Sequence, residues 1–122
     1  LMHAPLSILL FLPLATATTT TTSATQAPTP APMCFTSITL SGASFQTVRM
    51  GSYKISNLAP GDHQKGHPIY RQDNGKNYVF FWDTIGEWLI GEDYRSSVVG
   101  LRGPGHKNCP TDVPIWYEWD RS

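Results

Sequence analysis

His63 and His67 have the four-residue spacing at which two imidazoles on one helix face hold a metal. They lie in the stretch 59–67, dense in turn formers and including Pro60-Gly61, where that spacing defines no common face. His106 and Cys109 are near neighbours, but Cys109 is better used in a bridge. With no Cys-x-x-Cys and no clear third ligand, no metal site is expected. Asp83, Glu87, Glu92, Asp93, Glu118 and Asp120 offer acid–base chemistry, and glycoside hydrolysis needs a facing pair of them. Each falls in or beside a turn or on an alternating outer face, where a solvated charge accounts for it. There is no Gly-x-Ser-x-Gly elbow, and no Ser/His/Asp set has supporting context. Gly103-Pro104-Gly105 lacks the Gly-Lys-Ser/Thr of a phosphate loop. Cys34 as a nucleophile needs a free thiol, which a disulfide removes. The expectation is a chain with no catalytic residues and no cofactor.

Binding is the sharper chemistry. Four Trp and five Tyr exceed what a small core needs, and flat aromatic faces stack on sugars. Trp116, Tyr117 and Trp119 put rings on both faces of one strand, so either one is exposed or the strand is buried on both sides. Trp82, Trp116, Tyr117 and Trp119, with Arg71 and Arg95 near them, are the candidate binding residues. Tyr53, Tyr70 and Trp88 are expected in the core.

The elements that must position these residues read as strands. Ser37-Ile38-Thr39-Leu40 and Ser52-Tyr53-Lys54-Ile55-Ser56 alternate polar and apolar. Pro68–Arg71 and Tyr78–Trp82 flank Asn74-Gly75, a hairpin signal. Glu87–Ile90, Ser97–Leu101 and Pro114–Trp119 supply the remaining candidates, and no helical periodicity runs through the chain. The predicted fold is all-β: a small antiparallel sheet or open barrel of six or seven strands, disulfide-closed, with a disordered N-terminal stalk.

Three zones divide the 122 residues. Residues 1–17 read as a signal peptide starting at Met2. The apolar run from Ala4 to Leu14 is shorter than the roughly 20 residues of a membrane span, and Ala15-Thr16-Ala17 matches a small-x-small cleavage site. Residues 18–33 read as an O-glycosylated, extended stalk. Thr18, Thr19, Thr20, Thr21, Thr22, Ser23, Thr25 and Thr29 are the acceptors, interleaved with prolines and free of charge and rings. There is no Asn-x-Ser/Thr sequon. Residues 34–122 form the all-β module. In an oxidising compartment its two cysteines, Cys34 and Cys109, are expected to pair.

The order Ile38–Ala43, Gly51-Ser52-Tyr53, Gly66-His67-Pro68-Ile69-Tyr70, Tyr78–Trp82, Trp88-Leu89-Ile90 and Cys109-Pro110 with Trp116 resembles a small extracellular β module recurrent in protist, algal and invertebrate proteins. The resemblance spans about residues 36–119. It implies the fold and carries no activity. Met50 departs from it, standing where an Asn usually precedes the Gly-x-Tyr turn.

Nine basic residues balance nine acidic ones, which argues against a nucleic-acid partner. The function expected is that of a secreted, extracellular, non-enzymatic structural module of a coat, matrix or glycosylated fibril. Its partner would be itself, through the N-terminal tail lying along a neighbour's sheet edge. The alternative is a glycan- or protein-binding module using exposed aromatics. No membrane span is expected.

Overall fold

The structure, a computed structural model, describes residues 9–11 and 33–120. The expected stalk acceptors Thr18–Thr29 lie outside the described residues, as does all of the expected leader except residues 9–11.

Eight antiparallel strands follow one another in a single meander: β1 (Leu9–Phe11), β2 (Ser37–Ser41), β3 (Gly51–Ile55), β4 (Tyr70–Gln72), β5 (Tyr78–Trp82), β6 (Glu87–Gly91), β7 (Leu101–Gly103) and β8 (Tyr117–Glu118). The chain is all-β, as the alternation predicts, and seven strands lie within residues 37–118. The Asn74-Gly75 turn joins β4 to β5 in a hairpin that pairs Tyr70 with Val79 and Arg71 with Tyr78. Two expectations move. Ser97–Gly100 is loop, and β7 begins only at Leu101. Pro114 and Ile115 lie outside the sheet, and β8 is two residues long, flanked by the single bridge residues Trp116 and Trp119.

Register sorts the side chains onto two faces. The inner face carries Ile38 and Leu40, Tyr53, Tyr70, Val79 and Phe81, Trp88 and Ile90, Leu101, and Trp116 ahead of β8, all in one buried cluster. Tyr53, Tyr70 and Trp88 are core residues. The outer face is apolar only at its centre, where Phe80, Trp82 and Leu89 are buried. The connection between β3 and β4 covers them with Leu58 and Ile69, and the connection between β6 and β7 adds Tyr94 and Val99. Gln64 ties these loops together: its Nε2 donates to the Tyr94 carbonyl at 2.8 Å and its Oε1 accepts the Gly61 N–H at 2.8 Å. Burial on both faces is why Tyr78–Trp82 reads as an unbroken apolar run.

Gly103 lets β7 pack closely on the core. A Cβ there would lie 2.8 Å from Val113 Cγ1 and 3.1 Å from the Trp116 ring. Gly51 opens β3 at φ +110°, a conformation that disfavours side chains and explains the glycine after Met50.

Strand parity decides how the sheet ends. Between β2 and β8 lies an odd number of strands, so these two run in the same direction and cannot close by antiparallel pairing. Two side-chain clasps join them instead. Before both strands, Cys34 and Cys109 form a disulfide, with Cα atoms 5.4 Å apart. At the other end, the Glu118 carboxylate accepts the backbone N–H groups of Ser44, Phe45 and Gln46 at 3.0–3.1 Å. A strand antiparallel to both is the element that fits such a seam, and β1 has that direction. It pairs Leu9 with Ser41, Leu10 with Leu40 and Phe11 with Thr39.

Candidate binding surfaces

Aromatic binding required exposed rings, and the fold withdraws most of them. Trp116 is fully buried against Gly103 and Val113 and offers no surface. Trp82 is buried, and the His63 ring stacks on it at 4.2 Å and 9°. Tyr117 is half-buried on the outer face, with the Arg102 guanidinium 5.8 Å from its ring centre. Trp119 alone of the four is exposed. Trp82 and Trp116 therefore share no platform, because one packs in the outer cluster and the other in the inner one.

The basic candidates are both exposed. Arg95 is engaged locally: its Nε donates to Asp93 Oδ1 at 3.1 Å, and its guanidinium lies 5.7 Å from the Tyr94 ring centre. The Arg95 backbone N–H, followed by its side chain, holds the Asp93 carboxyl below the usual carboxylate range. Arg71 is different. It stands on the outer face of β4 directly opposite Lys54 of β3, and it has no hydrogen-bond or ion-pair partner among the described residues. Lys54 Nζ lies 3.8 Å from Asp73 Oδ2. These two cations line a polar cleft of about 590 Å³ together with Asn57, Leu58, Asp73 and Gly75. Sequence reasoning named Arg71 but missed Lys54, because only the register brings them together.

A second, apolar cleft of about 410 Å³ lies beside the disulfide, lined by Met33, Cys34, Ile55, His67 and Pro68. His67 is a packing residue there. Its ring meets Phe81 at 4.2 Å and Trp88 at 5.4 Å, and Nδ1–H donates to the Asn108 carbonyl at 3.1 Å. The His106 ring covers Gly86. Among the described residues no group of three or more His, Cys, Asp or Glu could hold a metal ion.

The carboxylates correct one expectation. Glu118 is not a solvated charge but a buried acceptor of three backbone N–H groups. Glu87 is largely buried, 3.6 Å from Arg102 Nε. Asp83 and Glu92 pair with Lys65 and Lys76 at the surface. A further buried polar chain escaped the sequence reading altogether. Gln46 Oε1 accepts from Arg49 Nε at 2.9 Å, and Arg49 donates to Asn77 Oδ1. Asn77 in turn donates to Gln72 Oε1 at 2.8 Å, and Gln72 Nε2 reaches the Val48 and Met50 carbonyls at 2.9 Å. These bonds fix the 44–50 loop, so it serves the fold.

The third surface is the side of β2 that faces away from β3. Ile55 N–H donates to the Thr36 carbonyl, so by alternation Thr36, Ile38 and Leu40 bond toward β3. Ser37, Thr39 and Ser41 present their backbone groups to the opposite side, where β1 lies. No helix among the described residues is long and apolar enough to cross a membrane. Compared with known proteins, the chain matches no protein family, no curated protein and no solved structure.

Proposed function

We propose that this chain is a secreted, non-enzymatic structural module of an extracellular coat, matrix or fibril, linked to its neighbours by strand addition at the β2 edge. The observation that carries this reading is the in-register antiparallel pairing of Leu9–Phe11 on β2, by a segment separated from β2 by the Thr/Pro-rich stretch. An edge that takes a strand from a long tether accepts one from the same chain or from a neighbour with the same main-chain bonds. Cleavage after Ala17 removes β1 and frees that edge. The threonine-rich tail that follows is β-branched and uncharged, which suits it to an extended edge strand. A tail that enters the next module, rather than its own, makes a head-to-tail contact and an open chain of modules. The Cys34–Cys109 disulfide fits an oxidising compartment, and O-glycans on the tail keep such assemblies soluble.

Light scattering with negative-stain electron microscopy on the secreted, glycosylated protein tests the reading. Filaments or larger arrays are expected, with hexose additions on residues 18–29 by mass spectrometry. A monomer at all concentrations would remove it.

A further inference from the structure

The outer face of β3 and β4 sets two cations side by side. Lys54 and Arg71 are direct cross-strand partners on β3 and β4. Like charges so placed destabilise a strand pair, and a fold with no use for them would not need both. Only one of the two is matched: Asp73 lies 3.8 Å from Lys54, while Arg71 has no partner among the described residues. Both are exposed and line the polar cleft, so an anion entering it meets two cations at once. A guanidinium fork binds a planar carboxylate or a sulfate through two parallel N–H bonds.

The surroundings decide what bears the anion. β3 and β4 are interior strands, so the cleft offers no free backbone edge on which a peptide could add as a strand. Its wall offers the Asn57 carboxamide, which has no partner among the described residues and suits hydroxyl groups. Across the hairpin, Arg71 faces Tyr78, a half-buried ring that meets Tyr94 edge-on at 5.2 Å, with Arg95 beyond it. Cations followed by rings along one row fit a chain of acidic sugars, with an anionic substituent between Lys54 and Arg71 and the next sugar against Tyr78.

We propose that the Lys54–Arg71 cleft is a binding site for an acidic polysaccharide, recognised through a sugar carboxylate or sulfate. It does not depend on strand addition, since the β2 edge contributes nothing to it.

The test is titration calorimetry on the full chain at low salt, with polygalacturonate for the carboxylate and dextran sulfate for the sulfate. Neutral dextran and polyglutamate are the comparisons. Binding to at least one acidic polysaccharide and not to dextran is expected, weakening as salt rises. Arg71→Gln should weaken it by about tenfold or more, and Lys54→Gln with Arg71→Gln should abolish it. Arg71→Lys keeps the charge without the fork and should fall between. The thermal midpoints of the single Gln variants should hold or rise, because cross-strand repulsion is relieved. The proposal is overturned if neither acidic polysaccharide binds or if the double variant binds as well as wild type. Equal binding of polyglutamate would also overturn it, assigning the cleft to acidic peptides. A fall in the midpoints of both single variants would do the same, by making the pair a support of the fold.

Discussion

The carboxylate of Glu118 accepts the backbone N–H of Gln46 at 3.1 Å, joining the last strand to the loop that follows β2. Two more N–H groups, from Ser44 and Phe45, converge on the same carboxylate. A charged acceptor is matched to three donors in a buried place. Glu118→Gln replaces one oxygen with an NH2 group that cannot accept, leaving donors unsatisfied. A loss of about 2–3 kcal/mol is expected, read as a lower urea midpoint with an unchanged slope.

The Cys34–Cys109 bridge closes a loop across 75 residues of sequence. In the chain-entropy view such a loop contributes about 4–5 kcal/mol, and it lies at the opposite end of the seam from Glu118. Cys34→Ser with Cys109→Ser should therefore lower the thermal midpoint steeply, and reductant should do the same to wild type but not to the variant. Differential scanning calorimetry with and without reductant checks both.

Burial pushes the phenols of Tyr53 and Tyr70 well above their ordinary value; the nearby Arg49 opposes this only in part at Tyr53. Their hydroxyls donate to the carbonyls of Arg49 and Phe35, each at 2.6 Å, which also requires the proton. Below the ordinary phenol range both are neutral whether the chain is folded or not, and their contribution to stability is intact. Above it the unfolded phenols ionise while the folded ones do not, so stability falls as pH rises. Absorbance at the phenolate band should show two of the five tyrosines ionising only as the chain unfolds. Tyr53→Phe should remove one of them from that step.

The strands were legible where one residue in two met the core. Ile38 and Leu40, Tyr53, the Asn74-Gly75 turn and the run Tyr78–Trp82 all announce themselves locally, and a pair of cysteines in a chain with a leader-like start is enough to expect a bridge. Glu118 was not legible. Its burial depends on the backbone N–H groups of Ser44–Gln46, a partner distant in sequence that carries no side-chain signature. Trp116, Tyr117 and Trp119 look alike in sequence, and only the register of β7 against β8 puts Trp116 inside and Tyr117 outside. The opposition of Lys54 and Arg71 has the same origin: a shift of one residue between β3 and β4 would part them.

Thr39 lies at the β2 edge where modules are proposed to join. Its backbone groups face away from β3, toward the side where β1 pairs. Proline there removes a donor from that side alone and leaves the β2–β3 ladder intact. Light scattering on the secreted full chain, wild type against Thr39→Pro, is the measurement. Wild type should form assemblies, and the variant should stay monomeric with an unchanged near-ultraviolet circular dichroism spectrum. A variant that assembles as fully as wild type, or a wild type that stays monomeric, would contradict it.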